Sequence, residues 1–176
     1  MYIEYFLTDA SNVSIATAII HEMIHAYLNV LRKTHGVVPS VLSGQDLATC
    51  IVNYFQNDLG NVTAQNNFMV QNFGPVITQI LIEIKNGLFT ISQIHRVEHS
   101  EVYGNYYLYQ PLNLSISPTA PSTTVTPWNW ADFFNYQAYE GLHESPVFTT
   151  TLYPPGSFGY YYFSQYVSVG IIAFHP

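Results

Sequence analysis

This chain has little charge and almost no cation. Charged residues fill 9% of its 176 positions, and only Arg32, Lys33, Lys85 and Arg96 are basic. With a net charge of −7, no basic patch is available to neutralise phosphates, so nucleic-acid binding is excluded as an expectation. The single cysteine, Cys50, excludes an intramolecular disulfide framework and is read as packing on an apolar helix face. No apolar run reaches the length of a membrane span. The segment from Met1 to Leu7 lacks a basic leader and a cleavage region, so no signal peptide is predicted and no compartment is assigned. Gly-x-Ser-x-Gly elbows and glycine-rich phosphate loops are missing as well.

What is present is apolar and aromatic. Hydrophobic residues make up 48% and aromatic residues 16%, enough for a buried core in one domain spanning residues 1–176. Within it, residues 1–90 read as helical and residues 91–176 as richer in Tyr, Pro and Thr.

The most informative segment is His21-Glu22-Met23-Ile24-His25. Residues four apart on a helix share a face, so His21 and His25 can offer two imidazoles to one ion. Glu22 projects beside them, where it can take a proton from an activated water. This is the H-E-x-x-H arrangement of zinc peptidases. Chance produces such a pentad in roughly one chain in a hundred of this composition. Apart from Glu22, no charge interrupts Ser11 to Leu31, which suits a helix that lies against a core.

Periodicity and punctuation predict the surrounding elements. Asp9, Ser11 or Asn12 caps a helix over about residues 12–33, and Gly36 and Pro39 end it. Residues 45–57 read as a short second helix. Met69, Phe73, Ile77, Ile80, Leu81 and Ile84 form an apolar stripe that Gly74-Pro75 should kink or divide. Residues 2–7 can form a short strand. Residues 105–130 read as a long loop, with Tyr106, Tyr107 and Tyr109 candidates for a cleft wall. Residues 147–153 and 160–174, around Pro154-Pro155-Gly156, read as a β-hairpin.

The segment from Val13 to Leu28, carrying the pentad, resembles the active-site helix of SprT-like zincins. Gln65-Asn66-Asn67-Phe68-Met69, followed by Pro75 and Glu83, is similar in spacing to a second segment of that family. Ala138-Tyr139-Glu140-Gly141-Leu142 is similar to a third, which there ends in Trp-x-Gly-Leu. The three cover about half of the chain in the expected order. The resemblance implies an α+β, zincin-like helical core with a reduced sheet and a C-terminal hairpin and aromatic-loop region. It also implies a zinc ion held by His21 and His25, with Glu22 catalytic and a peptide or protein as substrate.

The third ligand is where this chain departs from the pattern. Asn66 stands where the resemblance places a histidine, and a neutral amide oxygen is a poorer zinc donor than imidazole. Glu140 and His143 are further candidates for the vacancy, and neighbouring Glu144 and the turn residue Asp58 are weaker ones. His95 and His99, in the inverted order H-x-x-E-H, form a fallback metal pair in polar, exposed surroundings. His35 and His175 stand alone. The expectation is a zinc-dependent metallopeptidase-like protein; the alternative is a degenerate zincin scaffold serving as a binding protein.

Overall fold

The computed structural model describes residues 10–34, 62–103, 107–113 and 117–174. The strand expected at residues 2–7, the helix expected at 45–57, and Cys50, Asp58, His35, Tyr106 and His175 lie outside the described residues. Within them the chain is mostly helical, with one two-stranded antiparallel sheet, an α+β composition.

The first helix, α1 (Asn12–Thr34), begins where Ser11 accepts a hydrogen bond from the Ser14 amide at 3.2 Å, satisfying one orphan donor of the first turn. Val13, Thr17, His21 and Leu28 recur on its buried face. The predicted apolar stripe forms two helices, α2 (Val62–Asn72) and α3 (Gly74–Leu88), parted at Phe73. Pro75 falls in the first turn of α3, the place where its missing N–H costs nothing. Gly74 is required there because the Tyr139 ring packs directly over it, in the space a Cβ would fill.

Helix α4 (Ile91–Glu98) starts with a reciprocal cap. Thr90 Oγ1 accepts from the Gln93 amide, and Gln93 Oε1 accepts from the Thr90 amide. A single turn, α5 (Ser100–Tyr103), leads to strands β1 (Leu108–Asn113) and β2 (Ser117–Thr126). Helix α6 (Trp130–Gln137) is capped by Asn129. A π-helical turn at Phe148–Leu152 then precedes helix α7 (Phe158–Phe174).

Two expectations are corrected. The hairpin is β1–β2, inside the region read as a loop, and the C-terminal segment read as a hairpin strand is α7. Proline misled the first reading: Pro111 and Pro121 face each other in the ladder and break its register. The sheet instead leans on α7, where the Gln165 amide both donates to and accepts from the Tyr109 backbone at 2.7 Å. The run Tyr160-Tyr161-Tyr162 has strand-like composition. The buried positions of α7, however, are Phe163, Tyr166, Val169, Gly170, Ala173 and Phe174, a helical spacing.

An aromatic cluster joins these elements. Phe89, after α3, lies 4.4 Å in ring centroid from Phe174 of α7 and 5.2 Å from Trp130 of α6. Phe133 packs against Trp128 at 4.9 Å and sits where a Cβ on Gly170 would be 2.8 Å from its ring. Offset and edge-on pairs of this kind add to the stability that ring burial supplies.

Phe133→Ala, at 0% exposure, is expected to lower the unfolding free energy by about 3–5 kcal/mol. Ile172→Ala, on the exposed side of the same helix packing at 59%, should change it by no more than about 0.5 kcal/mol. Urea unfolding followed by tryptophan fluorescence checks both, since Trp128 and Trp130 flank Phe133.

Candidate metal centre

Ser14, Thr17, Ala18, His21 and His25 fall on one side of α1 at steps of three and four residues, with Glu22 beside them. They line a cleft of about 380 Å³ completed by Asn66 of α2 and by Glu140, Gly141 and Leu142 of the turn after α6. Three segments far apart in sequence therefore build one pocket around the H-E-x-x-H pentad.

Each histidine is tied down through one ring nitrogen. His21 is 7% exposed, and its Nε2 lies 3.0 Å from the carbonyl oxygen of Ala138, at the C-terminal end of α6. A carbonyl only accepts, so Nε2 carries the proton and Nδ1 keeps its lone pair. Gly141, at φ +83°, lies beside Nδ1, and a Cβ there would come within 3.5 Å of it. His25 donates from Nδ1 to Gln65 Oε1 at 2.7 Å, so that in the neutral ring Nε2 is the nitrogen with the free lone pair. Anchoring one imidazole nitrogen and freeing the other is how proteins orient metal-ligating histidines.

Protonation is biased the same way. Burial pushes His21 below its ordinary value of 6.5, and the nearby His25 adds to that. The Ala138 carbonyl and Glu22 oppose the shift without overturning it. At neutral pH the ring is neutral, the form that binds a cation.

The amides of α2 divide their work. Gln65 holds His25, and Asn67 Oδ1 accepts from the Val147 amide at 3.1 Å. Asn66 lines the cleft, and its Oδ1 is buried with no hydrogen-bond partner among the described residues. An orphaned acceptor is costly in a native structure and is relieved by an N–H donor or a cation. Glu140 is the charged group that the turn after α6 adds to the wall. Among the described residues its carboxylate accepts from Ser14 Oγ, at 3.1 and 3.4 Å, and burial raises its pKa despite that bond.

The remaining expected residues lie elsewhere. His143 faces Phe163 at 5.9 Å in ring centroid, and His143 and Glu144 are exposed outside the cleft wall. His95 and His99 stack edge-on at 5.6 Å on the exposed end of α4. Tyr107 and Tyr109 are at the sheet and do not line the cleft. Among the described residues, no three His, Cys, Asp or Glu side chains stand together as a set that could hold a metal ion. Among the described residues, the side-chain amide of Asn66 is what α2 adds to the cleft beside His21 and His25.

Sequence reasoning missed Ser14, Gln65 and the Ala138 carbonyl. The first was legible, since Ser14 precedes His21 by two turns on a face of small and polar residues. The carbonyl carried no signal, because any residue supplies one.

The two titrating groups pull stability in opposite directions. His21 favours the fold fully above its ordinary pKa, and that stability is lost as pH falls through 6.5 toward its lowered value. Glu140 prefers to be neutral, so its penalty is absent at low pH and grows as pH rises above 4.5. Glu140→Gln is therefore expected to raise Tm by about 2–4 °C at pH 7.5, with the gain vanishing near pH 4, by differential scanning calorimetry. No family model, curated protein or solved structure matches this chain.

Proposed function

We propose that this protein is a zincin-like, zinc-dependent peptide hydrolase whose ion is held by His21 Nδ1, His25 Nε2 and the carbonyl oxygen of Asn66. The observation that carries the reading is two imidazoles, each anchored through one ring nitrogen, sharing one cleft with a buried amide oxygen that has no partner among the described residues. The zincin character of the helical core belongs to the same proposal.

When bound, zinc would supply Lewis acidity toward a peptide carbonyl and an attacking water. The chain's own groups do the rest. Glu22, on the cleft wall and open to solvent, takes the proton of the attacking water and returns it to the leaving amine. Gln65 and the Ala138 carbonyl hold the two rings against rotation. Gly141 lies beside His21 Nδ1 on the opposite wall of the cleft. Peptide is the substrate class that this acid–base arrangement serves.

A donor set of two imidazoles and one neutral oxygen binds zinc more weakly than three imidazoles. Isothermal titration with zinc is expected to show one site that His21→Ala and His25→Ala each abolish. Asn66→His should tighten it by roughly 100-fold. Cleavage of a quenched fluorescent peptide library by the zinc-loaded protein should fall at least about 100-fold in Glu22→Gln. Zinc binding without any cleavage would favour the second reading, a degenerate scaffold that binds peptide, which the replacement of an imidazole by Asn66 favours. Absence of zinc binding would remove both the ion and the hydrolase.

A further inference from the structure

Glu140 is not needed to hold or activate anything in the reading above, yet it stands in the same cleft. An ionised carboxylate offers about four acceptor positions. Among the described residues Glu140 uses the edge facing Ser14, whose single hydroxyl lies 3.1 Å from one carboxylate oxygen and 3.4 Å from the other. No lysine or arginine is among the described residues of the wall. Of the described cations, Lys85 is engaged elsewhere, over the Trp130 ring at 3.8 Å and 4.0 Å from Glu98. The ion pair found among the described side chains, Lys85 with Glu98, does not involve the half-buried Glu140 carboxylate.

Asn66 Oδ1, in the same cleft, is assigned above to the ion, so the case for a second cationic group rests on the Glu140 carboxylate and its Ser14 contact. The geometry also says which kind of cation fits. A guanidinium prefers to grip both carboxylate oxygens with its planar fork, and here Ser14 lies across that edge. An ammonium is a compact point donor and needs only one free lone pair.

We propose that Glu140 determines specificity in this cleft by receiving a primary ammonium group of the bound peptide, either a free α-amino terminus or a lysine side chain. The proposal rests on the cleft being the peptide site, and on Glu140 touching the substrate while the ion stays with His21, His25 and Asn66. Ser14 sets the choice of ammonium over guanidinium by occupying the bidentate edge.

Fluorescence anisotropy on the metal-free protein tests it, with dye-labelled pentapeptides as probes. The set is a blocked alanine peptide, the same peptide with a central lysine, acetyl-lysine or arginine, and an unblocked alanine peptide. A charge-assisted hydrogen bond in a partly buried site is worth about tenfold in affinity. The lysine peptide or the unblocked peptide should bind about tenfold more tightly than the blocked alanine and acetyl-lysine peptides. Whichever of the two gains identifies the source of the ammonium. Glu140→Gln should erase that gain while leaving zinc affinity unchanged. Ser14→Ala should let the arginine peptide bind as tightly as the lysine peptide.

Equal binding of charged and neutral peptides, or a preference that survives Glu140→Gln, overturns the proposal. So does a loss of zinc in Glu140→Gln as deep as in His21→Ala, which would make Glu140 a ligand. Ammonium preference without cleavage by the zinc-loaded protein upholds this inference and sinks the hydrolase reading. Cleavage without charge preference does the reverse.

Discussion

The hydrogen bond from His21 Nε2 to the Ala138 carbonyl, 3.0 Å across 117 residues of sequence, is the constraint on which the cleft depends. It fixes the ring's tautomer, its rotation and its neutrality together. A backbone carbonyl is a suitable anchor because it only accepts and cannot titrate. At the end of α6 it also carries the partial negative charge of a helix C-terminus, which strengthens it as an acceptor. Burial supplies the other half of the effect by disfavouring the imidazolium. The same contact brings Glu140 and Gly141 to α1, so one bond shapes both a candidate ligand and the opposite wall.

That bond has to be placed, and the aromatic core places it. Phe133 and Phe134 are fully buried among Phe89, Trp130 and Phe174, which holds α6 between α3 and α7. Tyr139, one residue beyond Ala138, packs over Gly74 and against Phe148 and Tyr153. Packing of this density leaves the 138–142 turn little freedom to withdraw from α1. The 16% aromatic content therefore serves position as much as burial.

Much of the scaffold was readable from residue patterns. The span of α1, its capping by Ser11, the division at Gly74-Pro75 and the polar, exposed nature of the His95–His99 segment all follow from local rules of capping, helix period and proline chemistry. What local rules could not supply was the environment of each segment. Tyr160-Tyr161-Tyr162 resembles a strand until tertiary contacts impose a helical burial period. The prolines at 111, 118 and 121 argue against a sheet until the strands prove irregular and only two in number. The pentad identified the cleft, while its second wall depended on contacts across more than a hundred residues. Glu140 was readable as a nearby charge. Its pairing with Ser14 was not.

Nitrogen-15 shifts of the two imidazoles, read by long-range proton–nitrogen correlation at pH 7.5 before and after addition of zinc, measure the central claim directly. The metal-free protein should show His21 protonated at Nε2 alone and His25 at Nδ1 alone, and zinc should then move the resonances of His21 Nδ1 and His25 Nε2. Imidazolium at His21, the opposite tautomer at either ring, or spectra indifferent to zinc would contradict it.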